Sequence, residues 1–127
     1  MDGAVRRVER TFNVRGLLEK VTRYDAVSGG NVLGEVVREY NDLEMLSKEY
    51  QEHEGAKDAY TLYVGYDYDT AASGGEYTKG LRPTAVRYPN GRKAHFDYGS
   101  SGSHADNLNR LEAIKDDSSG QPGSTLA

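Results

Sequence analysis

The chain has 127 residues, a formal net charge of −4 and no cysteine, which excludes a disulfide framework and thiolate chemistry. Leu, Val, Ile and Phe make up only 23 of the 127 residues, under the ~20% below which a chain struggles to fill a core, but ten tyrosines supply rings able to bury on the order of 150–250 Å2 each. No apolar run approaches the ~20 residues of a membrane span. Met1 to Arg7 carry no apolar h-region of a secretory signal, and charges interleave, as in Arg6-Arg7-Val8-Glu9-Arg10, so no single-sign field for nucleic acid is expected.

Alternation of apolar and polar residues runs along most of the chain. It covers residues 5–12 and 17–25, parted by Gly16, and then 31–40 after Ser28-Gly29-Gly30. Residues 43–51 follow Asn41-Asp42. There Leu43, Leu46 and Tyr50 also fit a helical step, but the strand-rich context favours strand. Residues 51–58 are polar and read as loop. Tyr60, Leu62, Val64, Tyr66 and Tyr68 then alternate with polar neighbours, which places all five on one strand face. After Ser73-Gly74-Gly75 come alternating runs at 81–88, 92–98 and 108–115, parted by Asn90-Gly91 and by Ser100-Ser101-Gly102-Ser103. From Asp116 onward there is no periodicity, so 117–127 is expected to be a disordered tail. Short strands at regular intervals with turn chemistry between them predict an all-β fold of antiparallel hairpins in one twisted or curved sheet, with little or no helix.

Cross-strand pairing sharpens two hairpins, since opposed residues share a face. A three-residue loop, Pro89-Asn90-Gly91, pairs Tyr88 with Arg92, Val86 with Ala94 and Thr84 with Phe96; a two-residue Asn-Gly turn would scramble the faces. A four-residue loop from Asn13 to Gly16 pairs Phe12 with Leu17, Arg10 with Glu19 and Val8 with Val21. Around Tyr40 no register is clean, because pairing Tyr40 with Leu46 and Val36 with Tyr50 opposes Arg38 to Lys48.

The turns are marked by a comb. Phe12-Asn13, Tyr40-Asn41, Tyr68-Asp69 and Phe96-Asp97 stand 28 residues apart, each an aromatic followed by a short polar side chain. Tyr24-Asp25 and Tyr66-Asp67 repeat the pair off that step. Such spacing is the signature of a repeat architecture. With Gly16, Tyr88, Asn90, Gly91 and Arg92, these residues form a unit in which a strand ends in aromatic-Asx, turns on glycine and restarts. The unit resembles the Rhs/YD-repeat family, whose repeats run roughly Tyr-Asp-x-x-Gly-Arg-Leu, and the likeness extends from about Val8 to Asp116. Only Gly91-Arg92 keeps the Gly-Arg pair, and Glu44 stands where a turn glycine belongs.

The resemblance implies that residues 1–116 are about four degenerate repeats, part of a β-shell that encloses a toxin or presents a surface in bacterial competition. It implies an extracellular or cell-surface setting, and partners in further repeats of a parent protein or a complementing chain, with an enclosed effector. The alternative is a carbohydrate- or protein-binding module using Tyr63, Tyr77 or Tyr98. No enzyme is expected, and no cofactor or metal. His53 and His104 fall in polar loops and His95 on a strand, with no metal-ligand spacing. Asp67-x-Asp69 lacks the further ligands of a calcium loop, since positions 71 and 72 are alanine. Gly99 to His104 lacks the second glycine of a nucleophile elbow and reads as a flexible linker.

Overall fold

A computed structural model describes residues 4–69 and 81–117. The chain is all-β and every strand pair is antiparallel. The strands are β1 (Arg7–Phe12), β2 (Leu18–Tyr24), β3 (Val32–Tyr40), β4 (Leu46–Glu52), β5 (Tyr63–Tyr68), β6 (Pro83–Arg87), β7 (Lys93–Asp97) and β8 (Ala113–Asp117), with one four-residue helix, α1 (His104–Asn107). Most of the alternating runs are therefore strands, and Leu43 to Tyr50 is turn and strand. The chain divides into two compact units, Met1–Val64 and Gly65–Ala127, with the boundary inside β5.

In the first unit, β1 to β4 form a meander, each pairing with the next. One face carries Val8, Val21 and Val36, with Val21 directly opposite Val36. The other carries a polar row in which Glu9, Thr22, Glu35 and Glu52 stand opposite one another in succession. In the second unit, β5 to β8 form a second meander. Its apolar face collects Tyr66, Val86 and Ala94 in one row and Phe96 with Ile114 in the next. Among the described residues only Ala85 and Ala94 are buried hydrophobics, and no large side chain is fully buried. Each unit is thus a sheet with little core over it, as the scarcity of aliphatic residues requires.

The hairpin at Tyr88–Arg92 forms as expected: Val86 faces Ala94, the Tyr88 N–H donates to Arg92 O and the Gly91 N–H to Tyr88 O. The first hairpin differs. Its loop has three residues rather than four, the Asn13 N–H donating to Leu17 O and the Gly16 N–H to Asn13 O. A β-bulge then follows, so Phe12 faces Leu18, Arg10 faces Val21 and Val8 faces Arg23. The extra residue, Glu19, shifts every pair beyond it; alternation alone cannot reveal a bulge, because it assumes an unbroken ladder.

The Tyr40 hairpin resolves by the same device. Tyr40 does face Leu46, but a bulge at Ser47 moves Glu39 opposite Lys48 and Arg38 opposite Glu49. The like-charge conflict becomes two opposite-charge pairs, with N···O distances of 3.4 and 2.8 Å. The Ser47 hydroxyl also donates to Glu39 O at 3.0 Å.

Several expectations are corrected at element ends. Tyr60 and Leu62 precede β5 and are exposed, because Asp58 and Thr61 fold the chain into a side-chain-bonded turn there. The run at 108–115 becomes strand only from Ala113, and β8 continues through Asp117, one residue into the expected tail; residues 118–127 lie outside the described residues. Gly99 to His104 is not a free linker. Ser103 caps α1, its Oγ accepting from the Asp106 N–H, and His104 is the first helical residue rather than a loop residue.

Candidate functional site

The aromatic-Asx comb is the feature that the fold organises. At five of the six pairs the Asx residue closes the mouth of a loop. The N–H groups of Asn13, Asp25, Asn41 and Asp69 donate to the carbonyls of Leu17, Asn31, Met45 and Arg82, and Asp97 O accepts from the Glu112 N–H. The aromatic before it ends its strand at Phe12, Tyr24, Tyr40 and Tyr68, and a bulge lies beside each of these four. In the first unit the bulged residues are 19, 33 and 47, a step of 14, half the spacing of the comb. Tyr66-Asp67 differs: it sits within β5, Tyr66 facing Val86 and Asp67 facing Ala85.

The turns at Asn13 and Asn41 are copies at atomic detail. Asn13 Oδ1 accepts from the N–H groups of Arg15 and Leu17, each at 3.0 Å. Asn41 Oδ1 accepts from Leu43 and Met45, each at 3.0 Å. A short side chain with an acceptor is what can reach the two inward N–H groups of the loop. The fourth residue is left-handed in both turns, Gly16 at φ 79° and Glu44 at φ 65°. Gly91, at φ 84°, holds that place in the Tyr88 turn, where Asn90 Oδ1 accepts from the Arg92 N–H.

Arg92 pairs with Asp116 at 3.0 Å. Asp97 binds Lys115 and, through Oδ1, accepts the Gly99 N–H; the Lys115 ammonium holds its carboxyl below the ordinary range. At Asp25, the Asn31 side chain and N–H do the same.

A polar latch in the first unit was not legible in the sequence. Glu35 is 7% exposed. Its Oε1 accepts from Thr22 Oγ1 at 2.8 Å and lies 3.3 Å from Lys20 Nζ, while its Oε2 accepts from the Lys57 N–H at 2.9 Å. Burial works to raise the Glu35 carboxyl, but these donors outweigh it and the net displacement is downward. Beside it, Glu52 Oε2 accepts from Thr61 Oγ1 at 2.8 Å. The two carboxylates thus fasten the loop after β4 back onto the sheet. The same loop brings Lys57 over the Tyr50 ring at 4.3 Å, and Tyr50 packs on Tyr63 with centroids 5.2 Å apart.

The second unit has a comparable clasp. Arg82 Nη2 meets Asp106 Oδ1 at 2.7 Å, and the guanidinium stacks on the Tyr98 ring at 4.3 Å. The Tyr98 hydroxyl donates to Pro83 O at 2.8 Å. The two tyrosines of the binding alternative that are described, Tyr63 and Tyr98, therefore have their rings engaged in packing; Tyr77 lies outside the described residues.

The other candidates are dispersed. Asp67 pairs with Lys93 at 2.6 Å and Asp69 lies 3.5 Å from Arg82, so each carboxylate faces a cation. His53 follows β4, His95 lies in β7 opposite Ala85 and Lys115, and His104 opens α1. Among the described residues no group of three or more His, Cys, Asp or Glu is placed to hold a metal ion, and no helix is long and apolar enough to cross a membrane. An open groove of about 590 Å3 runs beside the Tyr88 turn, lined by Tyr88, Ala94, Phe96 and Ile114 among others. No protein-family model matches the chain, and no match is found among curated proteins.

Proposed function

We propose that the chain is a non-enzymatic structural segment of a β-hairpin repeat protein of the Rhs/YD type, a stretch of wall in a shell that encloses a toxin or presents a surface in bacterial competition. The observation that carries this reading is an Asx residue after an aromatic at a loop mouth on a 28-residue step, with the Asn13 and Asn41 turns matching atom for atom. Catalysis gives no reason to space loop mouths so evenly. A wall built by repetition does, because each hairpin must present the same edge to the next. The scarcity of buried apolar side chains supports the same reading: a wall segment gains its remaining burial from neighbouring repeats or from what it encloses. The glycan-binding alternative has less support, since Tyr63 and Tyr98 are committed to packing.

Calorimetry of the purified chain in dilute solution tests the proposal. A wall segment lacking its neighbours unfolds in a broad transition with a small enthalpy for its length. A sharp, two-state transition of a monomer would overturn the reading.

A further inference from the structure

We propose that the outer edge of β1 in one copy pairs with the outer edge of β8 in another, so that copies of this chain join head to tail. The inference rests on the repeat-segment reading in treating open strand edges as places where the sheet continues, and it names the occupant: a second copy. Among the described residues β1 and β8 stand at the two ends of the strand order, each with one strand neighbour. Such edges offer rows of backbone donors and acceptors to an incoming strand.

Charge selects the partner. The β1 edge is basic, with Arg6, Arg7 and Arg10 against Glu9, whereas Glu112 and Asp116 outweigh Lys115 at the β8 edge. Antiparallel pairing of two β1 edges about Val8 would oppose Arg6 to Arg10. Pairing two β8 edges about Ile114 would oppose Glu112 to Asp116. Both put like charges face to face, which is destabilising. Joining β1 to β8 with Val8 opposite Ile114 instead sets Arg10 against Glu112 and Arg6 beside Asp116, whose carboxylate already holds Arg92 at 3.0 Å.

A slip of two residues either way would leave Val8 against a carboxylate, so the register is specified. Val8 is 45% exposed and gains an apolar neighbour. On the opposite face Glu9 meets Ala113 and Arg7 meets Lys115. Those two cations already have carboxylates, Glu9 at 3.3 Å from Arg7 and Asp97 on Lys115. The two edges differ, so the contact is heterologous and, unless it closes into a ring, adds copies indefinitely.

Sedimentation velocity of the full chain, from micromolar to submillimolar and in low and molar salt, is the test. The expected result is a sedimentation coefficient that climbs with concentration, less steeply in high salt. Arg10→Glu and Glu112→Arg should each weaken association about tenfold, and the two combined in one chain should restore it. A wild-type monomer throughout would overturn the pairing, as would single variants without effect. Rescue of Arg10→Glu by Asp116→Arg rather than Glu112→Arg would overturn the stated register. A chain that stays monomeric yet melts broadly overturns this inference and leaves the repeat reading standing; a monomer that melts sharply overturns both.

Discussion

Glu44 holds a backbone conformation that suits glycine. Its φ of 65° places it in the left-handed region, which costs a residue with a Cβ roughly 1–2 kcal/mol. Its side chain recovers little, since the contact to Arg15 is long, at 3.6 Å, and both groups are exposed. Replacing Glu44 by glycine should raise stability by about 0.5–1 kcal/mol after the entropy of the new glycine is counted; chemical denaturation would measure it. Gly16→Ala places a Cβ in the equivalent position and should lower stability by about 1 kcal/mol. The Asx residues are the second element of the same turn. Asn41→Ala strips the acceptor from two loop N–H groups and should cost about 1–2 kcal/mol, whereas Asn41→Asp should be nearly neutral because the acceptor geometry survives. A Glu44→Gly variant less stable than the parent would show that the turn is held by contacts other than those at its backbone.

At the level of elements, Gly34 and the Glu35 latch set how β2, β3 and β4 lie together. A Cβ at Gly34 would stand 2.7 Å from Glu52 O, a backbone atom that can yield only if the β3–β4 ladder shifts. Gly34→Ala should therefore destabilise by about 1–3 kcal/mol, seen as a lower denaturant midpoint and faster amide exchange in β3. The latch is sensitive to acid. The folded Glu35 carboxyl holds its proton less tightly than the same group in the unfolded chain, and Glu49, held down by the Arg38 guanidinium, behaves likewise. Below the ordinary glutamate range, around pH 4.3, the unfolded chain binds more protons, so stability is present above that range and is lost as pH falls through it. Denaturant midpoints measured from neutral pH downward should drop on that side, and Glu35→Gln should flatten the drop. Little of this was readable in advance. Strand positions were legible because period-two alternation survives almost everywhere, and the Tyr88 loop because Pro89 and Gly91 fix its chemistry. The latch was not, because Thr22, Glu35 and Lys57 are far apart in sequence and acquire a common meaning only through strand register. The register that sets Thr22 opposite Glu35 depends in turn on a bulge at Leu33, as those of the neighbouring hairpins do on Glu19 and Ser47, and no local residue announces any of them.

Over the whole molecule, protection should follow position in the meanders rather than burial of large side chains. Hydrogen exchange should find the slowest amides in β2 and β3 of the first unit and in β6 and β7 of the second, where each strand has a neighbour on both sides and where Ala85 and Ala94 are buried. β1 and β8 should exchange fastest among the strands. Protection concentrated in the terminal strands would mean that something other than ladder position stabilises the chain.

The displaced residues at 19, 33 and 47 have a consequence for how such a chain changes over generations. In a strict two-residue alternation, gaining or losing one residue turns the following strand over and sends its inner side chains outward. A displaced residue is a spare link: creating or erasing one absorbs a single-residue change locally and leaves everything downstream facing as before. Loop mouths of this chain can therefore lengthen and shorten one residue at a time without any strand having to be rewritten.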